Sequence, residues 1–197
     1  MNKKGLAIGG IYLFACLAVA VAGKKNATFI GMKSCQECHA SEAIGNQFKI
    51  WQTSPHAMAF QILRTGKALQ IAKKAGISHP QSSLRCLKCH TTGGGKVETT
   101  KDEGVGCEAC HGPGSLYFEF SNHASFANRE AAYKKAVSLG MYPILGIDGI
   151  KAREKLCRYC HNDDRPCLPS DINERKRQTL PLSVIADFIF RHPLRRR

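Results

Sequence analysis

Eight of the ten cysteines fall into four pairs with the same C-x-x-C spacing, and each pair is followed at once by histidine. The motifs are Cys35-Gln36-Glu37-Cys38-His39, Cys86-Leu87-Lys88-Cys89-His90, Cys107-Glu108-Ala109-Cys110-His111 and Cys157-Arg158-Tyr159-Cys160-His161. On a helix, positions i and i+3 share a face. Two thiols at that spacing can add to the two vinyl groups of one porphyrin, and the next residue brings an imidazole under the iron. C-x-x-C-H is therefore the attachment signature of c-type haem, with His39, His90, His111 and His161 as proximal ligands.

Other chemistries fit less well. Structural zinc uses C-x-x-C knuckles but needs no histidine directly after each one. Iron–sulfur clusters use other spacings, such as C-x2-C-x2-C. Disulfides, though compatible with an exported chain, leave the four histidines unexplained. With 8 histidines in 197 residues, four chance placements run at roughly 10⁻⁶. The expectation is four covalent haems on Cys35, Cys38, Cys86, Cys89, Cys107, Cys110, Cys157 and Cys160.

Four histidines remain: His56, His79, His123 and His192. Four six-coordinate irons need four second ligands, so the count predicts bis-histidine, low-spin haem suited to electron transfer. A surface histidine is the alternative at each position. Ser54 and Pro55 read as N-cap and N1 of a helix, which puts His56 in its first turn. His123 follows a Gly-Pro-Gly turn and an aromatic patch of Tyr117, Phe118 and Phe120, which suits either a macrocycle or an ordinary core. His79 precedes Pro80 shortly before the second motif. His192 lies near the chain end, where fraying is common. Met58 can ligate iron in principle, but only two residues from His56 it reads as packing.

The elements that must position these groups are mostly helical. Helices are expected over 41–52, 55–64, 67–75 (stopped by Gly76), 129–139 (capped by Asn128, ended by Gly140) and 151–160. Residues 91–106 are Gly-rich and read as a loop or a short hairpin. The motif spacings of 51, 21 and 50 residues are unequal, which argues against a solenoid. Residues 182–190 form a short apolar helix before Arg195-Arg196-Arg197, placed to dock on a haem or to meet a membrane surface or partner. Cys167 reads as a passive thiol or an intermolecular link.

Met1–Ala22 reads as an export signal: Lys3 and Lys4, an uncharged stretch, then Ala20-Val21-Ala22 before Gly23. The alternatives are an uncleaved membrane anchor or lipidation at Cys16; all three put the body outside the cytoplasmic membrane. Cleavage removes two lysines and 22 residues, leaving 175 residues at net charge +12. The resulting division is a signal over 1–22, a tetrahaem domain over 23–170 and a basic segment over 171–197. About 44 residues per haem do little more than wrap one, so the fold class is mostly α with extensive loops around a core of four haems. Charged residues at 22% and hydrophobic ones at 43% exclude a disordered chain and a multi-span membrane protein. The excess of basic residues suggests nucleic acid on composition alone, but export and haem argue against it. With propionates counted, the holoprotein stays cationic, about +8 oxidised and +4 reduced, and an acidic redox partner would be steered to it.

The residues around the motifs resemble the cytochrome c-554 family of tetrahaem periplasmic electron carriers. The likeness lies in the first motif followed by Trp51, Thr53 and His56-Ala57-Met58-Ala59, in the second motif, in Gly104-Val105-Gly106-Cys107-Glu108-Ala109-Cys110-His111-Gly112-Pro113-Gly114, and in the fourth motif. It spans about residues 34–161. The resemblance implies a mostly helical fold with closely packed, partly stacked haems and electron transfer among redox enzymes and carriers, in the founding members from hydroxylamine oxidation. It implies distal roles for His56 and His123. It also implies that the haem on His90 is the one left without a second ligand in the type member, a place His79 would fill here.

Two functions follow from these residues. One is an electron carrier with no substrate chemistry, since no catalytic constellation is present. The other is a redox enzyme that reduces a small nitrogen oxide at a five-coordinate haem, for which the His90 site is the candidate. A subunit of a polymeric cytochrome assembly is a third, with Cys167 and the apolar tail as interface parts.

Overall fold

The computed structural model describes residues 26–146 and 149–167. The described residues are helices and turns without a strand. In chain order the helices are α1 (Met32–His39), α2 (Gln47–Gln52), α3 (Gly66–Lys74), α4 (Leu84–His90), α5 (Cys107–His111), α6 (Phe120–His123), α7 (Arg129–Ser138) and α8 (Ile150–Cys160). Short 3₁₀ turns lie at Glu42–Ile44, Gln61–Arg64, Thr92–Gly95 and Glu98–Thr100.

Helices α3 and α7 follow their caps. Thr65 accepts the Ala68 amide to start α3, and Gly76 ends it in the left-handed region at φ +67°. Asn128 Oδ1 accepts the Ala131 amide at 2.9 Å to start α7. These are ordinary side-chain N-caps and a glycine C-terminus.

Two expected helices do not form as drawn. The helix over 41–52 breaks at Gly45 (φ +106°) and Asn46 (φ +48°), so only α2 remains after a 3₁₀ turn. The helix over 55–64 is a run of turns that ends in the 3₁₀ segment Gln61–Arg64. Ser54 does receive the Ala57 amide, but the His56 carbonyl takes the N–H groups of Ala59 and Val105. A residue distant in sequence thus claims the carbonyl that an α-helix would have given to residue 60.

Residues 91–106 are not a hairpin. They are tied by buried threonines. Thr92 donates its amide to Gly104 O at 2.8 Å, and Thr92 Oγ1 accepts the Gly106 amide at 2.8 Å. Thr100 Oγ1 donates to Thr92 O at 2.8 Å. Thr92 and Thr100 are essentially inaccessible. This network makes the segment a rigid link between α4 and α5.

The buried apolar set among the described residues is small: Phe48, Leu63, Ala72, Ile77, Leu87, Tyr117, Ala132, Ala136 and Ile144. Meanwhile Phe126, Tyr159, Met58 and Phe120 are more than half exposed. A chain of this size that buries so little and exposes so much is built to cover apolar surface not its own. No helix of the described residues is long and apolar enough to cross a membrane. The expected signal over 1–22, Cys16, the expected apolar helix over 182–190 and His192 lie outside the described residues.

Candidate haem-binding sites

Each of the four motifs occupies the C-terminal end of a helix. His39, His90 and His111 are the last residues of α1, α4 and α5, and His161 is the C-cap of α8. Each cysteine pair therefore spans i to i+3 on one helical face, with the imidazole just beyond. No two of the nine described cysteines are joined in a disulfide.

The motif helices meet in order. α1 packs on α5, and α4 packs on α8. The Cys35 thiol is hydrogen-bonded to Cys107, which pushes the Cys35 pKa up and draws that of Cys107 down. In the same way the Cys160 thiol donates to Cys89, holding Cys89 down to about 7. Burial pushes Cys110 up to about 12, helped by its proximity to Cys157. The first motif thus adjoins the third, the third adjoins the fourth, and the fourth adjoins the second.

The imidazoles face one another in pairs. The rings of His39 and His123 have centroids 6.1 Å apart, and those of His56 and His161 are also 6.1 Å apart. A metal–nitrogen bond is about 2.0–2.1 Å, so two imidazoles on opposite sides of one metal have centroids about 6.3 Å apart. Both pairs meet that spacing. Each joins a motif histidine to one from elsewhere in the chain, across 84 and 105 residues respectively.

The ring hydrogen bonds fix the tautomers. His90 Nδ1 lies 2.6 Å from Ala59 O, His39 Nδ1 3.2 Å from Gln47 Oε1, and His123 Nδ1 3.0 Å from Glu119 O. A carbonyl oxygen only accepts, so Nδ1 carries the proton in each ring. That leaves the Nε2 lone pair free for a metal and raises its basicity. His161 Nδ1 is buried with no hydrogen-bond partner among the described residues. Burial lowers the pKa of both His56 and His161, which keeps them as the neutral imidazoles a metal needs.

No three His, Cys, Asp or Glu side chains among the described residues converge on one point. A tetrahedral zinc site needs such a cluster, whereas haem iron takes only two axial protein ligands. The paired imidazoles, the i to i+3 thiols and the exposed apolar surface fit c-type haem.

His79 is exposed on the turn before α4, and its imidazole has no ring contact or hydrogen bond among the described residues. Sequence reasoning missed the two carboxylates that hang α1 in place. Glu108 is buried and accepts the amides of Ile30, Gly31 and Gly114. Glu103 accepts the Met32 amide with both oxygens at 3.1 Å. An acidic residue inside the third motif, at a position where the other three carry Gln36, Leu87 and Arg158, was the available signal.

Residues 34–112 match the family model described as cytochrome c554 and c-prime. That stretch is similar to the cytochrome c-554 family over about two fifths of the chain. That stretch takes in the first three motifs, His56 and His79, while His123 and the fourth motif lie beyond it. Cytochrome c-554 of Nitrosomonas europaea is 32% identical over 99 residues. The aligned part is 45% of this chain and 40% of that protein's length. No solved structure matches the chain. The similarity lies over the stretch that holds three of the C-x-x-C-H motifs and agrees with c-type haem attachment there.

Proposed function

We propose that the protein is a four-haem electron carrier outside the cytoplasmic membrane, passing single electrons between redox proteins. The observation that carries this reading is the pair of imidazole–imidazole spacings of 6.1 Å, each anchored on a C-x-x-C-H helix. Bound haem supplies a one-electron iron couple; the rest is done by the chain. His39 and His123 hold one iron, and His161 and His56 hold another. His90 and His111 hold the remaining two, with His79 and His192 as the histidines left for their second positions.

The motif contacts supply an order. Sites one, three, four and two form a line in which each motif adjoins the next. The Nδ1 hydrogen bonds to Gln47, Glu119 and Ala59 orient the rings and keep them electron-rich, which favours the ferric state and a low potential.

The basic surface provides steering. The chain carries 29 Lys+Arg against 15 Asp+Glu, so an acidic partner protein is drawn to it. Its second-order electron-transfer rate with an acidic redox protein is expected to fall about tenfold or more between low and high salt. Stopped-flow kinetics across an ionic-strength series measures this, and a flat series contradicts the docking.

The experiment for the ligand assignment is His123→Ala in the holoprotein. It opens one iron face and converts about one haem in four from low-spin to high-spin. Electron paramagnetic resonance of the oxidised protein reads that fraction. A spectrum identical to the unaltered protein's contradicts the pairing with His39.

A second reading is favoured by one observation: among the described residues no imidazole faces His90, although its Nδ1 is well bonded. An open site there would reduce a small nitrogen oxide. A high-spin fraction near one haem in four in the unaltered protein, abolished by nitric oxide, favours the enzyme; an all-low-spin spectrum favours the carrier.

A further inference from the structure

The segment 56–59 serves two sites at once. Its first residue, His56, faces His161 at 6.1 Å. Its last, Ala59, accepts the proton of His90 Nδ1 at 2.6 Å. Between these two ends the segment is crossed by residues 104–105, which lead into the third motif. Val105 donates its amide to His56 O at 3.0 Å, and Trp51 Nε1 donates to Val105 O at 2.8 Å. On the opposite side, Gly104 O accepts the amide of Thr92 at 2.8 Å, two residues beyond His90. Gly104 is buried between the two.

No other residue fits there. Gly104 has φ +78°, a left-handed conformation that side chains resist. A Cβ would stand 2.6 Å from Ala57 O and 2.7 Å from His56 O. Both neighbours are backbone atoms, which cannot rotate away as a flexible side chain would. Relief requires that the two segments separate, and the segment that yields carries both the His56 ring and the Ala59 carbonyl.

We propose that Gly104 is a positioning residue for two axial imidazoles, setting how His56 meets His161 and how tightly Ala59 holds His90; this rests on the haem reading above. The His39–His123 pair makes no direct bond to residues 104–105, its rings being held by Gln47 and by the Glu119 carbonyl. It serves as an internal reference.

The test uses full-chain holoprotein of the unaltered sequence, of Gly104→Ala and of Trp51→Phe. Haem is counted by pyridine haemochrome, and spin state is read by electron paramagnetic resonance and resonance Raman of the oxidised form. The expected result for Gly104→Ala is an unchanged haem count with a high-spin fraction raised by about one haem in four. Added imidazole restores the low-spin signal, and the signal of the His39–His123 pair persists. Trp51→Phe removes one hydrogen bond without adding bulk and gives a smaller rise of the same signal. Gly104→Ala with a full haem count and an unchanged spectrum overturns the proposal. So does a rise that imidazole does not reverse and that takes the His39–His123 signal with it. If Gly104→Ala is not recovered, an unchanged spin state in Trp51→Phe overturns it. Fewer than four haems in the unaltered protein is a different result, and it overturns the haem reading itself.

Discussion

Replacing Cys107 and Cys110 together by alanine is expected to cost the protein most of its folded structure, not one haem alone. Helix α5 has only five residues, far too few to stand without tertiary support. It packs on α1 and on the Thr92–Gly95 turn, and its motif lies between the first and the fourth. The buried apolar set is too thin to hold these pieces, three of its nine members being alanine. A group that binds only the folded chain contributes its binding free energy to folding. Losing the central one removes an amount on the order of the whole stability of a domain, roughly 5–15 kcal/mol. Circular dichroism and mass spectrometry of the variant check this. The expected result is a mass short of one tetrapyrrole, with the helical signal largely gone at room temperature. A variant that keeps its full signal and a sharp thermal transition contradicts it.

The second large effect is at Glu108. Its carboxylate is 2% exposed and accepts the amides of Ile30, Gly31 and Gly114 at 3.1 Å or less. These bonds join the strand of chain before α1 to the turn after α5. Glu108→Ala leaves three largely buried N–H groups without acceptors, each costing about 1–3 kcal/mol. The expected loss is on the order of 4 kcal/mol, or about 10 °C in melting temperature for a chain of this size. Glu108→Gln keeps a carbonyl oxygen and costs about half as much. Thermal melts of the two holoproteins give the comparison. Equal melting temperatures for Glu108→Ala and the unaltered protein contradict the role.

Some of this was legible in the sequence. The four motifs announce their chemistry because the i to i+3 thiol spacing and the adjacent histidine are local. Helices α3 and α7 were readable from Asn128 and from the stops at Gly76 and Gly140, for the same reason. The breaks at 45–46 and through 55–64 were not. There the outcome depends on Val105 capturing the His56 carbonyl and on Asn46 taking a left-handed turn, and neither shows in helical periodicity. Residues 91–106 read as a Gly-rich loop because a threonine hydrogen-bond network has no period. The expectation of distal roles for His56 and His123 came from the family likeness and from position; the rings they face came from the fold, since His39 meets His123 and His161 meets His56 across long stretches of chain. The glycine flanking the third motif was visible, but the close approach that requires it at Gly104 was not.

The central claim is that porphyrin iron sits on all four motifs. Intact-mass measurement of the mature, full-length chain from a host with a c-type cytochrome assembly pathway tests it most directly, with pyridine haemochrome absorbance from the same sample. The account predicts a polypeptide carrying four covalent tetrapyrroles, and a count that falls by one when any one motif pair is removed. A colourless chain whose mass equals that of the bare polypeptide would contradict it.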